Sequence, residues 1–128
     1  MTEYEKIEKI VVELTTCDDK RRSSTDDAIE MYVGGHEWDI DKPHYDDFER
    51  GKTDSYDLDV PAGMNSSAFR YLCFKKKAHG KDDDWCLKKV KLTINDKVVY
   101  EKDNLNAWLN ASKTSFCCPD FKYGQAGE

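Results

Sequence analysis

The run Leu87-Lys88-Lys89-Val90-Lys91-Leu92-Thr93-Ile94-Asn95-Asp96-Lys97-Val98-Val99-Tyr100 decides the fold. Val90, Leu92 and Ile94 alternate with Lys89, Lys91 and Thr93, the two-residue period of a strand with one buried face. Asn95-Asp96 then predicts a two-residue turn into a partner strand through Val98-Val99-Tyr100. Leu87 is out of phase with Val90, which calls for one extra residue, a bulge near Lys88.

The same period recurs on both sides of this hairpin. Ile10-Val12-Leu14 alternates with Val11-Glu13-Thr15, and Ile29-Met31-Val33 runs into the tight turn Gly34-Gly35. Tyr56-Leu58-Val60 alternates with aspartates and stops at Pro61. Phe69-Tyr71-Cys73 opposes Leu72 and Phe74, so that strand is apolar on both faces and central to its sheet. Short strands joined by Gly-, Pro- and Asp-rich turns give an all-β antiparallel sandwich. No internal repeat or second domain is visible. The expected division is one domain over residues 1–112, then a loosely ordered C-terminal extension over 113–128 that has no period.

Composition narrows the function. The 128 residues are 36% charged, with a net charge of −6 and a mean hydropathy of −0.85. Nucleic-acid binding depends on neutralising phosphates with cations, so this balance argues against it. No apolar run approaches the roughly 20 residues of a membrane-spanning helix, and Met1 to Lys9 lacks the apolar core of a signal peptide. Five cysteines cannot all pair internally, and Cys17, Cys73 and Cys86 fall in or beside expected strands, where buried free thiols are common. These features read as a reduced, cytoplasmic protein. The alternative is a secreted one whose signal peptide is absent from this sequence.

Catalytic patterns are missing. There is no G-x-S-x-G elbow, no H-E-x-x-H and no phosphate-binding glycine loop. His36, His44 and His79 all fall in expected loops, and nothing marks a cysteine as activated for a Cys-His pair.

The positive signal is acidic. Glu37 to Val60 crowds seven aspartates, two glutamates and four aromatic residues around a Pro- and Gly-punctuated loop. Such crowding is repulsive unless the carboxylates are solvated or share a hard cation such as Ca²⁺. Acidic loops run from Cys17 to Asp27, Asp39 to Asp47 and Lys81 to Asp84. In an antiparallel sandwich alternate connections emerge on the same side, which would gather all three at one end. The plain alternative is that Asp is a favoured turn residue and these are solvated turns.

A family resemblance runs through these segments. Asp47-Phe48-Glu49-Arg50-Gly51 followed by Thr53-Asp54-Ser55-Tyr56 resembles the "FERG…D-x-F" signature of PLAT (lipoxygenase-homology) domains. Thr15-Thr16-Cys17 and Ser24-Thr25-Asp26 resemble the family's "T-G…G-T-D" opening. Trp85-Cys86-Leu87-Lys88-Lys89-Val90 resembles its "W-x-L-x-x-V", and Trp108-Leu109 its closing "W-L". The resemblance spans about Lys9 to Asn110 and implies two packed four-stranded antiparallel sheets. Glu37-Trp38, Asp41-Lys42-Pro43 and Asn95 to Leu109 are similar to the C-terminal PLAT domains of clostridial alpha-toxins, which implies Ca²⁺-dependent docking on membranes.

Carried over by position, the resemblance places Asp41 and Asp47 at acidic ligand positions of the middle loop and Asp83 at the one before Trp85. Asp84 would lend a backbone carbonyl, and Thr25 matches the threonine of "G-T-D". The first loop departs from the pattern. It is longer, Arg22 falls near the ligand position, and Asp18 or Asp19 has to substitute; Lys42 also replaces a neutral ligand. The third-loop tip Ala78-His79-Gly80-Lys81 has no aromatic, which leaves Trp38 and Tyr45 as membrane anchors. Packing on the sheet edge is the other role for Trp38. Trp85 and Trp108 occupy the family's buried positions. Lys75, Lys76 and Lys77 would meet anionic headgroups or form a solvated strand end.

The resemblance therefore implies a stand-alone, non-catalytic module, calcium-dependent, that binds a membrane lipid surface or a protein. A purely protein-binding domain without calcium or lipid is the alternative, and a small lipid-acting enzyme the remaining one.

Overall fold

The structure is a computed structural model that describes residues 5–17, 28–40, 51–77, 85–109 and 113–123. Nine strands follow one another: β1 (Ile10–Thr16), β2 (Ala28–Val33), β3 (His36–Ile40), β4 (Thr53–Leu58), β5 (Cys73–Lys77), β6 (Trp85–Ile94), β7 (Lys97–Lys102), β8 (Ala107–Leu109) and β9 (Ser115–Cys117). A single 3-10 turn, Ser66–Ala68, is the only helical piece among the described residues. The all-β expectation holds.

Two antiparallel sheets form. The first runs β4-β1-β6-β7 with β8 also on β6, and the second runs β3-β2-β5-β9. β6, ten residues long, pairs with β7 along Val90–Ile94 and with β8 along Trp85–Leu87, so β7 and β8 lie along one edge. Between them Asn104 (φ 56°) and Asn106 (φ 47°) take left-handed backbone, and the Leu105 N–H donates to the Lys88 carbonyl (2.8 Å). The expected four-stranded sheet thus carries an interrupted fourth line and counts five strands.

The bulge also falls where expected. Thr15 pairs with Lys89 and Thr16 with Leu87, so Lys88 is the extra residue. The hairpin turn is formed by Asn95 (φ 51°) and Asp96 (φ 65°), the left-handed pair of a type I′ turn. Asn95 does more than turn. Its Oδ1 accepts from the N–H groups of Glu8 (2.7 Å) and Lys9 (3.0 Å), and its Nδ2 donates to the Lys6 carbonyl (2.8 Å), which fixes the N-terminal segment.

The core lies between the inner faces. Ile10, Val12 and Leu14 from β1, Val90, Leu92 and Ile94 from β6, and Met31 and Phe74 from the second sheet are all fully buried. Outer faces of the first sheet are polar: Lys89 pairs with Glu101 (3.1 Å) and Lys91 with Glu13 (3.8 Å). Gly34 is required by its surroundings. At φ 23° a Cβ there would stand 2.2 Å from the Ala68 carbonyl oxygen, where the 3-10 turn packs under the β2–β3 hairpin.

Three expectations change here. β5 begins at Cys73 rather than Phe69, although it is interior to its sheet as expected; Tyr71 is exposed just before it. His36 opens β3 instead of lying in a loop. Residues 113–123, expected as a loose extension, include β9, which pairs Cys117 with Cys73, Phe116 with Phe74 and Ser115 with Lys75. A three-residue strand is too short to show a period, so only its pairing reveals it.

Cysteines change most. Cys17 bridges Cys86, and Cys73 bridges Cys117, leaving buried Cys118 as the free thiol. The expectation of free thiols at Cys17, Cys73 and Cys86 is overturned. Pairing depends on strand register, which brings positions 69 and 44 residues apart together, and sequence spacing does not reveal it.

Candidate functional site at the crossing end of the sandwich

Strand registers place four sheet-to-sheet connections on one end of the molecule. In the first sheet Thr15 lies opposite Thr53, Thr16 opposite Leu87, and Trp85 opposite Leu109. In the second, Ile29 lies opposite Ile40 and Ala28 opposite Lys77. From these termini the chain crosses between sheets at 18–27, 41–50, 78–84 and 110–112. The hairpin turns at Gly34-Gly35 and Asn95-Asp96 lie at the other ends of the same strands.

The crossing end is tied together from several sides. Cys17 donates its N–H to the Cys86 carbonyl (2.9 Å) and bridges the same residue through sulfur. Trp85, fully buried, donates its indole N–H to the Thr16 hydroxyl (3.0 Å), also fully buried. Gly51 sits at φ 75° and donates to the carbonyls of Thr16 (3.1 Å) and Cys17 (3.3 Å), while Thr16 donates to Lys52 (3.0 Å). The glycine of the Phe-Glu-Arg-Gly run thus makes a left-handed turn that seats β4 against β1.

Besides Glu30, which is 8% exposed on β2, two charged side chains close to this end are buried almost completely on inner faces, one from each sheet. Asp54 shares the inner face of β4 with Tyr56, and Lys76 shares the inner face of β5 with Phe74; they are 1% and 2% exposed. Burying a charge is costly unless it is compensated, and both are engaged by neighbouring groups. Sequence reasoning missed both. Asp54 read only as part of the D-x-F signature, and Lys76 as a headgroup contact or part of a solvated strand end.

The expected ligands Asp18, Thr25, Asp41, Asp47, Asp83 and Asp84 all lie outside the described residues, as does Tyr45. Three of them adjoin described residues: Cys17 precedes Asp18, Ile40 precedes Asp41 and Trp85 follows Asp84, each at the crossing end. Among the described residues no group of three or more acidic, Cys or His side chains could hold a metal ion.

The expected contact residues separate. Lys75 is exposed on the outer face of β5, across from Glu30 and Ser115. Lys76 faces inward and is withdrawn from any surface role, because alternation along β5 turns every second lysine into the core. Lys77 closes β5, and its side chain lies outside the described part. Trp38 is half-buried in edge strand β3 on the face of buried Ile40. Its indole N–H donates to the Asp59 carbonyl (2.8 Å), and its ring stacks on His36 (6.3 Å). The packing role fits Trp38. Trp85 is structural as expected, whereas Trp108 is only half-buried, opposite Cys86.

A second polar cluster lies where the C-terminal segment meets the hairpin end. Tyr123 donates to a Glu5 carboxylate oxygen (2.8 Å), which holds that carboxyl below its ordinary value. Tyr100 donates to the Pro119 carbonyl (2.8 Å). Burial pushes the Tyr100 and Tyr123 hydroxyls and the Cys118 thiol upward, the thiol to about 12. A thiol held in that state is neutral and unreactive at neutral pH.

A model of the PLAT/LH2 domain matches residues 10–118. The chain belongs to the PLAT/LH2 domain family. Solved structures agree with that fold. The alpha toxin of Clostridium absonum superposes with a TM-score of 0.75 at 27% identity, over 88% of this chain and 31% of the toxin. The alpha-toxin of an avian Clostridium perfringens strain gives 0.73 at 21% identity, over 91% of this chain and 32% of the toxin. Coral 8R-lipoxygenase, described as calcium-activated via a C2-like domain, gives 0.65 at 19% identity, over 86% of this chain and 16% of that enzyme. This PLAT domain therefore spans about a third or less of the chains it resembles. The match ends at Cys118, so β9 lies inside the family fold.

Proposed function

We propose that this PLAT domain is a non-catalytic docking module whose crossing end binds Ca²⁺ and, through it, a lipid surface. The observation that carries this reading is the grouping of strand ends: Cys17, Ile40 and Trp85, which adjoin Asp18, Asp41 and Asp84, belong to one end of the sandwich. Carboxylates from separate segments converging on one end are the donor set a hard cation takes. Asp47, Asp83 and Thr25 complete the ligand set, with Asp84 through its backbone carbonyl. The calcium activation described for the coral lipoxygenase supports the same reading.

Tyr45, the exposed Lys75 and Lys77 are the contacts proposed for the lipid surface. Each lysine near an anionic surface contributes about 1 kcal/mol. Two disulfides favour an oxidising compartment over the cytoplasm. No helix of the described residues is long and apolar enough to cross a membrane, so docking is proposed to be peripheral.

Flotation with phosphatidylserine-containing vesicles tests this function. The protein should rise with the vesicles in millimolar calcium and stay in solution in chelator. Protein that remains soluble in both conditions overturns lipid docking and leaves the protein-binding alternative.

A further inference from the structure

The two disulfides occupy different environments. Cys17 and Cys86 are both buried, at 5% and 1% exposed, and tie the end of β1 to the start of β6 in the interior of the first sheet's strand order. Cys73 is buried but Cys117 is exposed, on the outer edge strand of the second sheet. β9 is only three residues long, and the backbone bonds flanking it are Thr114 accepting from Lys76 (2.7 Å) and Leu72 accepting from Cys118 (2.8 Å). Immediately after Cys117 the chain turns Cys118 inward, to 8% exposed. Beyond it, Phe121 packs on Tyr100 (5.5 Å) and Tyr123 on Phe69 (5.5 Å).

We propose that Cys73–Cys117 is a reducible latch that holds β9 and the following strap in place, and that opening it uncovers Cys118 as a site for thiol modification. The chemistry is thiol exchange. A dithiol reductant attacks the exposed Cys117 sulfur as a thiolate, and the Cys73 sulfur leaves and takes up a proton. The reductant's second thiol then displaces Cys117, closing the reductant's own disulfide. Two electrons and two protons have moved to the protein, and three thiols stand close together at 73, 117 and 118. Without its covalent tie, a three-residue edge strand opens locally far more often than the sheet interior does. Each opening carries Cys118 out of the apolar site that keeps its thiol neutral. The inner bridge, Cys17–Cys86, stays closed because neither sulfur-bearing residue is open to the reductant.

Dithiothreitol titration of the native protein, quenched with N-ethylmaleimide and read by peptide mass spectrometry, tests the latch. Without reductant Cys118 should take no label. At low reductant Cys73, Cys117 and Cys118 should gain label together while Cys17 and Cys86 remain bridged and the far-ultraviolet spectrum stays β. Cys118→Ser assigns the label within the shared peptide. The double variant Cys73→Ser/Cys117→Ser should label at Cys118 without reductant, at least tenfold faster than the native protein. Label on Cys118 before reduction, opening of Cys17–Cys86 first, or continued protection of Cys118 after Cys73 and Cys117 are alkylated would each overturn the latch. If the double variant does not fold, the titration of the native protein decides alone.

Discussion

Gly34 shows how one residue constrains two elements. Its φ of 23° and the Ala68 carbonyl oxygen standing against the place a Cβ would take leave room only for hydrogen. Gly35 next to it, at φ 103°, faces open space. Gly34→Ala should therefore cost well over about 1 kcal/mol, the scale at which incompatible backbone substitutions begin to destabilise. Gly35→Ala carries the backbone strain alone and should cost less; chemical denaturation of the two variants ranks them. Trp85 and Thr16 make a second residue-scale test. Their hydrogen bond is fully buried, so removing one partner strands the other at about 1–3 kcal/mol. Trp85→Phe and Thr16→Val should be individually destabilising and distinctly less than additive together, as measured by a double-mutant cycle.

At the scale of elements, legibility followed length and period. β1, β2 and the β6–β7 hairpin were readable because a half-buried strand alternates over five or more residues, and even the Lys88 bulge appeared as a phase slip. β8 and β9, at three residues each, carry no period. Lys76 was hidden for a related reason: in Lys75-Lys76-Lys77 composition suggests water, and only the strand's alternation sends the middle side chain inward. The bridges were hidden because register, not spacing, sets them. The C-terminal strap offers a prediction of its own. Tyr100, Tyr123 and Cys118 all have folded-state values raised above their ordinary ones, by burial first. A raised value means the neutral form favours the folded state. That contribution is complete below the ordinary values of 9.0 for the thiol and 10.0 for the phenols, and is lost as pH rises above them. The urea midpoint should fall between pH 8 and pH 11, and Tyr100→Phe should flatten the fall.

Across the whole molecule, the sandwich separates two tasks. The hairpin end is closed by Asn95, the 3-10 turn and the C-terminal strap. The crossing end is closed by Cys17–Cys86 and the Trp85–Thr16 bond, and its strand ends at Cys17, Ile40 and Trp85 adjoin the acidic segments of the sequence. How much of the candidate site the sequence disclosed follows from this division. The strand ends that adjoin the acidic segments were legible from strand alternation, while the segments themselves lie outside the described residues; the buried Asp54 and Lys76 near those strand ends were not legible. A cation that binds only the folded domain stabilises it by about 2.7 kcal/mol at a hundredfold excess over its dissociation constant. Calcium should therefore raise the melting temperature, and Asp83→Asn should remove most of that rise while leaving the calcium-free protein folded. Without calcium the same variant should melt no lower than the native protein, since one repelling carboxylate is gone.

The most direct measurement is calorimetric titration of metal-stripped protein with calcium, repeated with magnesium. Calcium should bind saturably, magnesium should not reproduce that binding, and Asp83→Asn should weaken it at least tenfold. No calcium heat beyond dilution, or equal responses to the two cations, would contradict it and reduce the acidic segments to solvated turns.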